Sequence, residues 1–323
     1  MEVVHGLESF VAPAAGIVLT IGNFDGVHLG HARILETARQ VAVRLAAPVV
    51  AMAFEPHPLA VLAPERAPAN LTTLAEKLAL LERCGAERCV VLRSNAALLA
   101  TEAEDFLASL VAHCRPRAFV EGPDFNFGRG RGGSVETLAR NAARWGYEVH
   151  RVPAVHCEGL PTRPTVGSSS IRQALRDGRV EEANALLGRP YRIVGTTGHG
   201  AGRGITLGFP TANLERIAHL LPQDAVYAAV GQLEGDELRL AAVNIGPQPT
   251  FSEPRTRVEV HLLDYGGDLR GRRVGLHFLA RLRPQAKFAG PRELTRQISA
   301  DVAATRAFEP EVDALRRGVP IAL

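Results

Sequence analysis

The chain has 323 residues, 46% of them hydrophobic and 22% charged, which are ordinary proportions for a soluble globular protein; the usual domain size of ~150 residues gives about two domains. Fibrous and disordered classes are excluded, and no apolar run reaches the ~18–20 residues of a membrane span. The balance of 37 basic against 34 acidic side chains, net +3, is too even for a duplex-binding surface.

Met1–Phe10 carries Glu2, His5 and Glu8 and no basic patch before an apolar stretch. No secretory signal shows, so a cytoplasmic protein with neither membrane nor nucleic-acid partner is expected. Cys84, Cys89, Cys114 and Cys157 form no C-x-x-C pair and read as buried thiols, not as a disulfide scaffold or zinc ribbon.

In chain order, the first half alternates apolar runs with helical patterns. Strands are expected at Gly16–Ile21, Pro48–Phe54, Arg88–Leu92, Ala118–Glu121 and Tyr147–Val152, and helices at Ala32–Leu45, Thr73–Cys84, Thr101–Cys114 and Val135–Trp145. This rhythm predicts an α/β, doubly wound parallel sheet that binds ligands at the carboxyl ends of its strands. Near Gly188–Tyr191 it gives way to short β-type runs at Tyr191–Gly195, Val226–Leu233, Leu238–Ile245, Val258–Tyr265 and Val274–Phe278. These predict a small antiparallel barrel or sandwich, followed by a terminal helix over Pro291–Phe308. The expected domains are 1–186 and 187–323.

The segment Gly22-Asn23-Phe24-Asp25-Gly26-Val27-His28-Leu29-Gly30-His31 follows the first strand and opens the first helix. Its glycines permit a close backbone approach to a bulky anion, and the helix start adds free N–H groups. His28 and His31 can both face that anion and donate to a phosphate as charge builds on it. Zinc finds no third ligand nearby. Gly128-Arg129-Gly130-Arg131-Gly132-Gly133 satisfies G-x-G-x-x-G, but it does not open directly off a strand and no acidic residue follows ~20 positions on, so a Rossmann dinucleotide site is disfavoured.

This segment resembles the H-x-G-H signature of the nucleotidyltransferases, in the form of the bacterial bifunctional riboflavin kinase/FAD synthetase family. Phe54-Glu55-Pro56-His57-Pro58, Gly122-Pro123-Asp124-Phe125-Asn126-Phe127-Gly128 and Ser168-Ser169-Ser170-Ile171-Arg172 follow in the family's order. In the last, Gly167 replaces a residue often polar, and Ser169 stands for Thr. The resemblance implies that His28, His31 and Arg172 hold the ATP phosphates, with Gly22, Asn23, Phe24, Asp25, Gly30, Ser168 and Ser169 on the nucleotide and Asp124 and Asn126 near the nucleotide or flavin. Adenylyl transfer to FMN needs no strong base, because the attacking phosphate is already an anion.

Gly195–Asn213 reads GTTGHGAGRGITLGFPTAN, without the G-K-[ST] of a P-loop. Pro210-Thr211-Ala212-Asn213 resembles the P-T-A-N signature of riboflavin kinases, and Asn244-Ile245-Gly246, Val258-Glu259-Val260 and Arg283 with Lys287-Phe288 match in order. Gly200, Gly202, Gly204, Gly208 and Pro210 are expected on the nucleotide, Arg283 on the flavin, and Thr211 and Asn213 on Mg2+, which favours hard oxygen ligands. Glu259, turned away from Val258 and Val260 by strand alternation, is the expected base for a neutral ribityl hydroxyl. The chain departs from the family at Ile205, Gln248 and Arg270.

The resemblance implies an enzyme that phosphorylates riboflavin to FMN and adenylylates FMN to FAD, with ATP and Mg2+. Its rivals are a kinase with a weakened adenylylation half and a non-catalytic nucleotide- or RNA-binding regulator. Oligomeric state is not legible, and a homo-oligomer stays open.

Overall fold

The computed structural model describes residues 1–198, 208–247 and 256–318. Its contacts divide the chain into two compact units, the first holding 1–157 and 163–166 and the second 158–162 and the chain from Gly167 onward.

The first unit contains β1 (Glu2–His5), β2 (Ile17–Gly22), α1 (Leu29–Leu45), β3 (Val49–Glu55), α2 (Pro58–Leu62), α3 (Leu74–Arg83), β4 (Arg88–Arg93), α4 (Ala96–Leu99), α5 (Ala103–Cys114), β5 (Pro116–Glu121), β6 (Asn126–Phe127), β7 (Gly133–Ser134), α6 (Val135–Trp145) and β8 (Glu148–Arg151). A six-stranded sheet runs β1-β4-β3-β2-β5-β8 with every neighbour parallel. β2 and β3 are near-continuous buried apolar runs, as strands covered on both faces must be. Alternation sends Val18, Val49 and Ala51 to one face with Leu35 and Ala38, and Leu19, Val50 and Met52 to the other with Leu107 and Leu138. A capping box of Thr73 and Glu76 starts α3.

From β2 the chain builds outward through β3 and β4, then returns to the other side of β2 for β5 and β8. The carboxyl ends of β2 and β5 therefore border the topological switch point, where open parallel sheets bind their ligands.

The second unit contains α7 (Ser168–Arg176), α8 (Val180–Leu187), β9 (Tyr191–Gly198), β10 (Ala212–Glu215), β11 (Ala225–Gln232), β12 (Leu238–Pro247), β13 (Thr256–Leu262), β14 (Arg273–Arg283), α9 (Pro291–Arg306) and α10 (Glu309–Arg316). Its strands close into an antiparallel barrel, β10-β13-β12-β11-β14-β9, which decides between the barrel and sandwich expectations. Along β12, Leu238 and Leu240 pack with Val302 and Val312 of the terminal helices and with Phe308 between them. The intervening Ala241, Val243 and Ile245 are fully buried and face the other way, into the barrel.

Contacts divide the chain near residue 166. α7 and α8 side with the barrel. Asn184 Nδ2 donates to the Phe278 carbonyl at 2.9 Å, and its Oδ1 accepts from the Tyr191 N–H at 2.7 Å. Glu181 accepts from the Arg281 N–H at 2.9 Å, and the Leu175 carbonyl from the Gln223 N–H at 2.9 Å. Apart from the Asn184–Tyr191 pair, these contacts join residues far apart in sequence.

Candidate active sites

The first candidate site grows from the end of β2. The turn into α1 is costly backbone: Phe24 and the β-branched Val27 both take positive φ, +47° and +38°, and Gly26 takes +84°. Burial holds it, for Phe24 is 1% exposed and Val27 is sealed. The buried Asp25 carboxylate also accepts the N–H groups of Leu71 at 3.0 Å and Thr72 at 3.1 Å, while Thr72 Oγ1 accepts from the Gly26 N–H at 3.1 Å. Asp25 thus acts on the backbone that shapes the loop.

The same turn presents the two histidines. His28 caps α1, its Nδ1 accepting from the His31 N–H at 3.4 Å. With Nδ1 accepting, a neutral His28 ring carries its proton on Nε2. The His28 and His31 rings stack with centroids 3.7 Å apart and planes 17° apart, and Phe24 meets His31 edge-on at 5.1 Å. A Cβ on Gly30 would sit 3.1 Å from His28 Nδ1, so glycine is what lets the ring lie against the helix start. After β3, His57 Nε2 lies 3.2 Å from Asn23 Nδ2, and buried Lys77 reaches Glu55 at 3.3 Å.

Across the switch point, the turn after β5 carries Asp124 and leads into Asn126 at the start of β6, both exposed, with Asn126 Nδ2 donating to the Asp124 carbonyl at 2.6 Å. Phe125 and Phe127 stack beneath them at 5.4 Å. Glu121, the last residue of β5, is 1% exposed, and burial pushes its carboxyl well above the ordinary value of 4.5. Ser168 and Ser169 open α7 and Arg172 is buried on it, all three in the second unit.

The second candidate site is a row across three barrel strands. Asn213 on β10 lies opposite Glu259 on β13, which lies opposite Asn244 on β12. Residues directly opposite share a face, and Thr211, two before Asn213, is in phase with it. Val258 and Val260 beside Glu259 are 1% exposed and face the interior, leaving Glu259 half-buried on the outer side. Asn244 Nδ2 donates to Glu259 Oε2 at 3.3 Å, and Gln285 Nε2 donates to Asn244 Oδ1 at 3.0 Å. The Pro210 carbonyl accepts from His261 Nδ1 at 2.8 Å, and Phe209 sits edge-on to the same ring at 5.6 Å, which pins the start of Pro210-Thr211-Ala212-Asn213 to β13. Gly208 takes φ +81° just before it.

Gly200, Gly202, Gly204, Ile205 and Gln248 lie outside the described residues. Arg283, expected on the flavin, has its guanidinium committed elsewhere. Nε and Nη2 donate to buried Asp301 at 2.9 and 2.7 Å, and Nη1 to the Pro284 carbonyl at 3.1 Å. The side chain ties β14 to α9. Arg270 pairs with Asp268 at 2.8 Å, an exposed turn contact that pulls the Asp268 carboxyl down to about 2.

Sequence reasoning named Asn244 and His57 inside motifs without giving them roles, and it missed Glu121, Lys77 and Gln285. A carboxylate closing an otherwise apolar run, Arg117-Ala118-Phe119-Val120-Glu121, was the available signal for Glu121. No set of three or more His, Cys, Asp or Glu side chains able to hold a metal occurs among the described residues. Thr211 and Asn213 instead supply neutral oxygens, which suit Mg2+ sharing its coordination with phosphate and water.

Comparison with known proteins agrees with both halves. The FAD synthetase family model matches residues 12–165 and the riboflavin kinase family model residues 187–309. The bifunctional riboflavin kinase/FMN adenylyltransferase of Escherichia coli (strain K12) is 37% identical over 95% of this chain and 98% of its own. The protein of that name in Bacillus subtilis (strain 168) is 34% identical over 88% of this chain and 90% of its own. A solved structure described as a macrolide-efflux protein from Streptococcus pneumoniae matches with TM-score 0.85 and 30% identity, covering 95% of this chain and 99% of that one. With a parallel-sheet unit ending in stacked histidines, a closed barrel bearing the Asn–Glu–Asn row, and both family domains in that order, the chain belongs to the bifunctional riboflavin kinase/FMN adenylyltransferase family.

Proposed function

We propose that the barrel half phosphorylates riboflavin to FMN, releasing ADP, and that the parallel-sheet half transfers AMP from ATP to FMN, giving FAD and pyrophosphate. The observation that carries this reading is the pair of unlike sites in one chain: imidazoles at a helix start, where charge must be neutralised, and a carboxylate in an amide row, where a proton must be removed. The ATP substrate suits a cytoplasmic enzyme.

In the kinase half, Glu259 takes the proton from the ribityl hydroxyl as that oxygen attacks the γ-phosphorus of ATP. The Asn244 amide donates to the carboxylate and fixes its direction. Thr211 and Asn213 would hold Mg2+, which when bound neutralises phosphate charge. Gly200, Gly202, Gly204, Gly208 and Pro210 are assigned to the nucleotide. In the adenylylation half, an FMN phosphate oxygen attacks the α-phosphorus of ATP. His28 and His31 donate to the transferring phosphate, joined by the free N–H groups at the start of α1. Gly22, Asn23, Phe24 and Gly30 shape that approach, Ser168, Ser169 and Arg172 are assigned to the phosphates, and Asp124 and Asn126 to the nucleotide or flavin.

Incubating the purified chain with riboflavin, ATP and Mg2+ and separating the flavins by chromatography tests both halves. FMN followed by FAD is expected. A reaction that stops at FMN removes the adenylylation assignment, and unchanged riboflavin removes the kinase assignment.

A further inference from the structure

β2 and β5 are paired through Leu19 opposite Phe119, and there their ladder stops, although both strands continue. β2 runs on beside β3 as far as Gly22 opposite Ala53, and β5 runs on beside β8 as far as Glu121 opposite Arg151. Past Leu19 the two strands diverge, and this divergence is the mouth of the crevice at the switch point. The Ile21 N–H, which a continued ladder would have given to a β5 carbonyl, donates instead to the Glu121 side chain, Oε1, at 2.8 Å. The Glu121 backbone carbonyl is taken by the Val152 N–H at 2.8 Å. One side chain therefore spans the opening and occupies the last inward-facing amide of β2. The next residue is Gly22, from which the turn carrying His28 and His31 begins.

We propose that Glu121 is a positioning residue for FMN adenylylation, a buried carboxyl that holds β2 and β5 apart at the crevice and fixes the point from which the Gly22–His31 turn departs. It does not touch substrate, being sealed from solvent. Its action is on geometry: without the acceptor, a buried amide is left unpaired, and the tip of β2 is free to shift. A displacement of about 1 Å in a catalytic group costs up to about 100-fold in rate, and both histidines hang from this tip. Burial favours the protonated carboxyl, so glutamine replaces it with the same acceptor and no change of charge.

The proposal rests on the adenylylation reading, and the test separates the two. The full chain is compared as Glu121→Leu, which keeps bulk and loses the acceptor, and as Glu121→Gln, which keeps the acceptor. FAD formation from FMN should fall about 10–100-fold in kcat in the leucine variant, with the KM for ATP little changed. The glutamine variant should recover it, and riboflavin phosphorylation should be unaltered in both. A leucine variant with full FAD synthesis, or a glutamine variant as impaired as the leucine one, overturns the proposal. Should the leucine variant fold poorly, amide hydrogen exchange in the unaltered chain decides: Ile21 should be strongly protected, and exchange there as fast as at Asn23 overturns it. An unaltered chain that makes no FAD removes the adenylylation reading, and the proposal with it.

Discussion

Asn244 stands between two partners whose chemistry fixes its orientation: its amide oxygen accepts from Gln285 at 3.0 Å, so its amide nitrogen faces the Glu259 carboxylate at 3.3 Å. The base candidate is thus oriented by a neutral donor. Glu259→Gln should lower riboflavin phosphorylation by about 10²–10⁴-fold while FAD formation from supplied FMN continues. A near-normal phosphorylation rate in that variant would remove Glu259 from the base role.

For the adenylylation half, His31→Ala should reduce FAD formation by about 10²–10³-fold, the scale for one oriented donor. Riboflavin phosphorylation in the same chain is the control. Equal loss of both activities would make His31 a structural residue.

Thr211→Val removes a hydroxyl at a surface position next to β10. The Mg2+ concentration giving half-maximal phosphorylation should rise, with adenylylation untouched. An unchanged Mg2+ titration would count against Thr211 as a ligand.

The contacts of Asn184, Glu181 and Leu175 set where the barrel can be separated. A fragment beginning at Gly167 should be soluble, melt cooperatively and phosphorylate riboflavin. One beginning at Asn184 lacks α7 and the first half of α8, so it should melt at lower temperature and express less well. Equal melting temperatures would show that these helices add nothing to the barrel.

Glu121 also gives a pH dependence. Its folded-state pKa is raised by burial above the ordinary 4.5. The protonated form is the one the fold favours, so this group's contribution is fully present below about 4.5 and is lost as pH rises through the folded value. Melting temperatures of the unaltered chain and Glu121→Gln should converge at low pH and separate above it, with the glutamine chain the more stable. A difference that is constant with pH would contradict this.

Much of the first unit was legible in sequence because β2, β3, β4 and β5 are apolar runs and α1, α3, α5 and α6 keep a helical period. β1 was not, since Glu2-Val3-Val4-His5 has two apolar residues and acquires its identity by pairing with β4, as Glu2 opposite Arg88, far along the chain. β10 was missed for the same reason, although closure of the barrel depends on it: Ala212–Glu215 is four residues long and bridges β9 to β13. In the sites, His28, His31 and Glu259 could be named because their chemistry is local to a turn or a strand. The partners of Asp25 and Arg283, Leu71 and Thr72 in one case and Asp301 in the other, were not legible, because tertiary folding brings them there.

The strand order also bears on how this protein behaves when concentrated. The closed barrel has no free edge. The parallel sheet ends in β1 and β8, each four residues long, with Glu2 and His5 on one and Glu148, His150 and Arg151 on the other. Those charges are engaged, Glu2 with Arg88 at 3.0 Å and Arg151 with Glu136 at 2.9 Å. A passing strand would find only a short, charged row of backbone groups to add to. Edge-to-edge aggregation is thereby suppressed at both margins of the sheet, and the long apolar strands that would drive it stay in the interior.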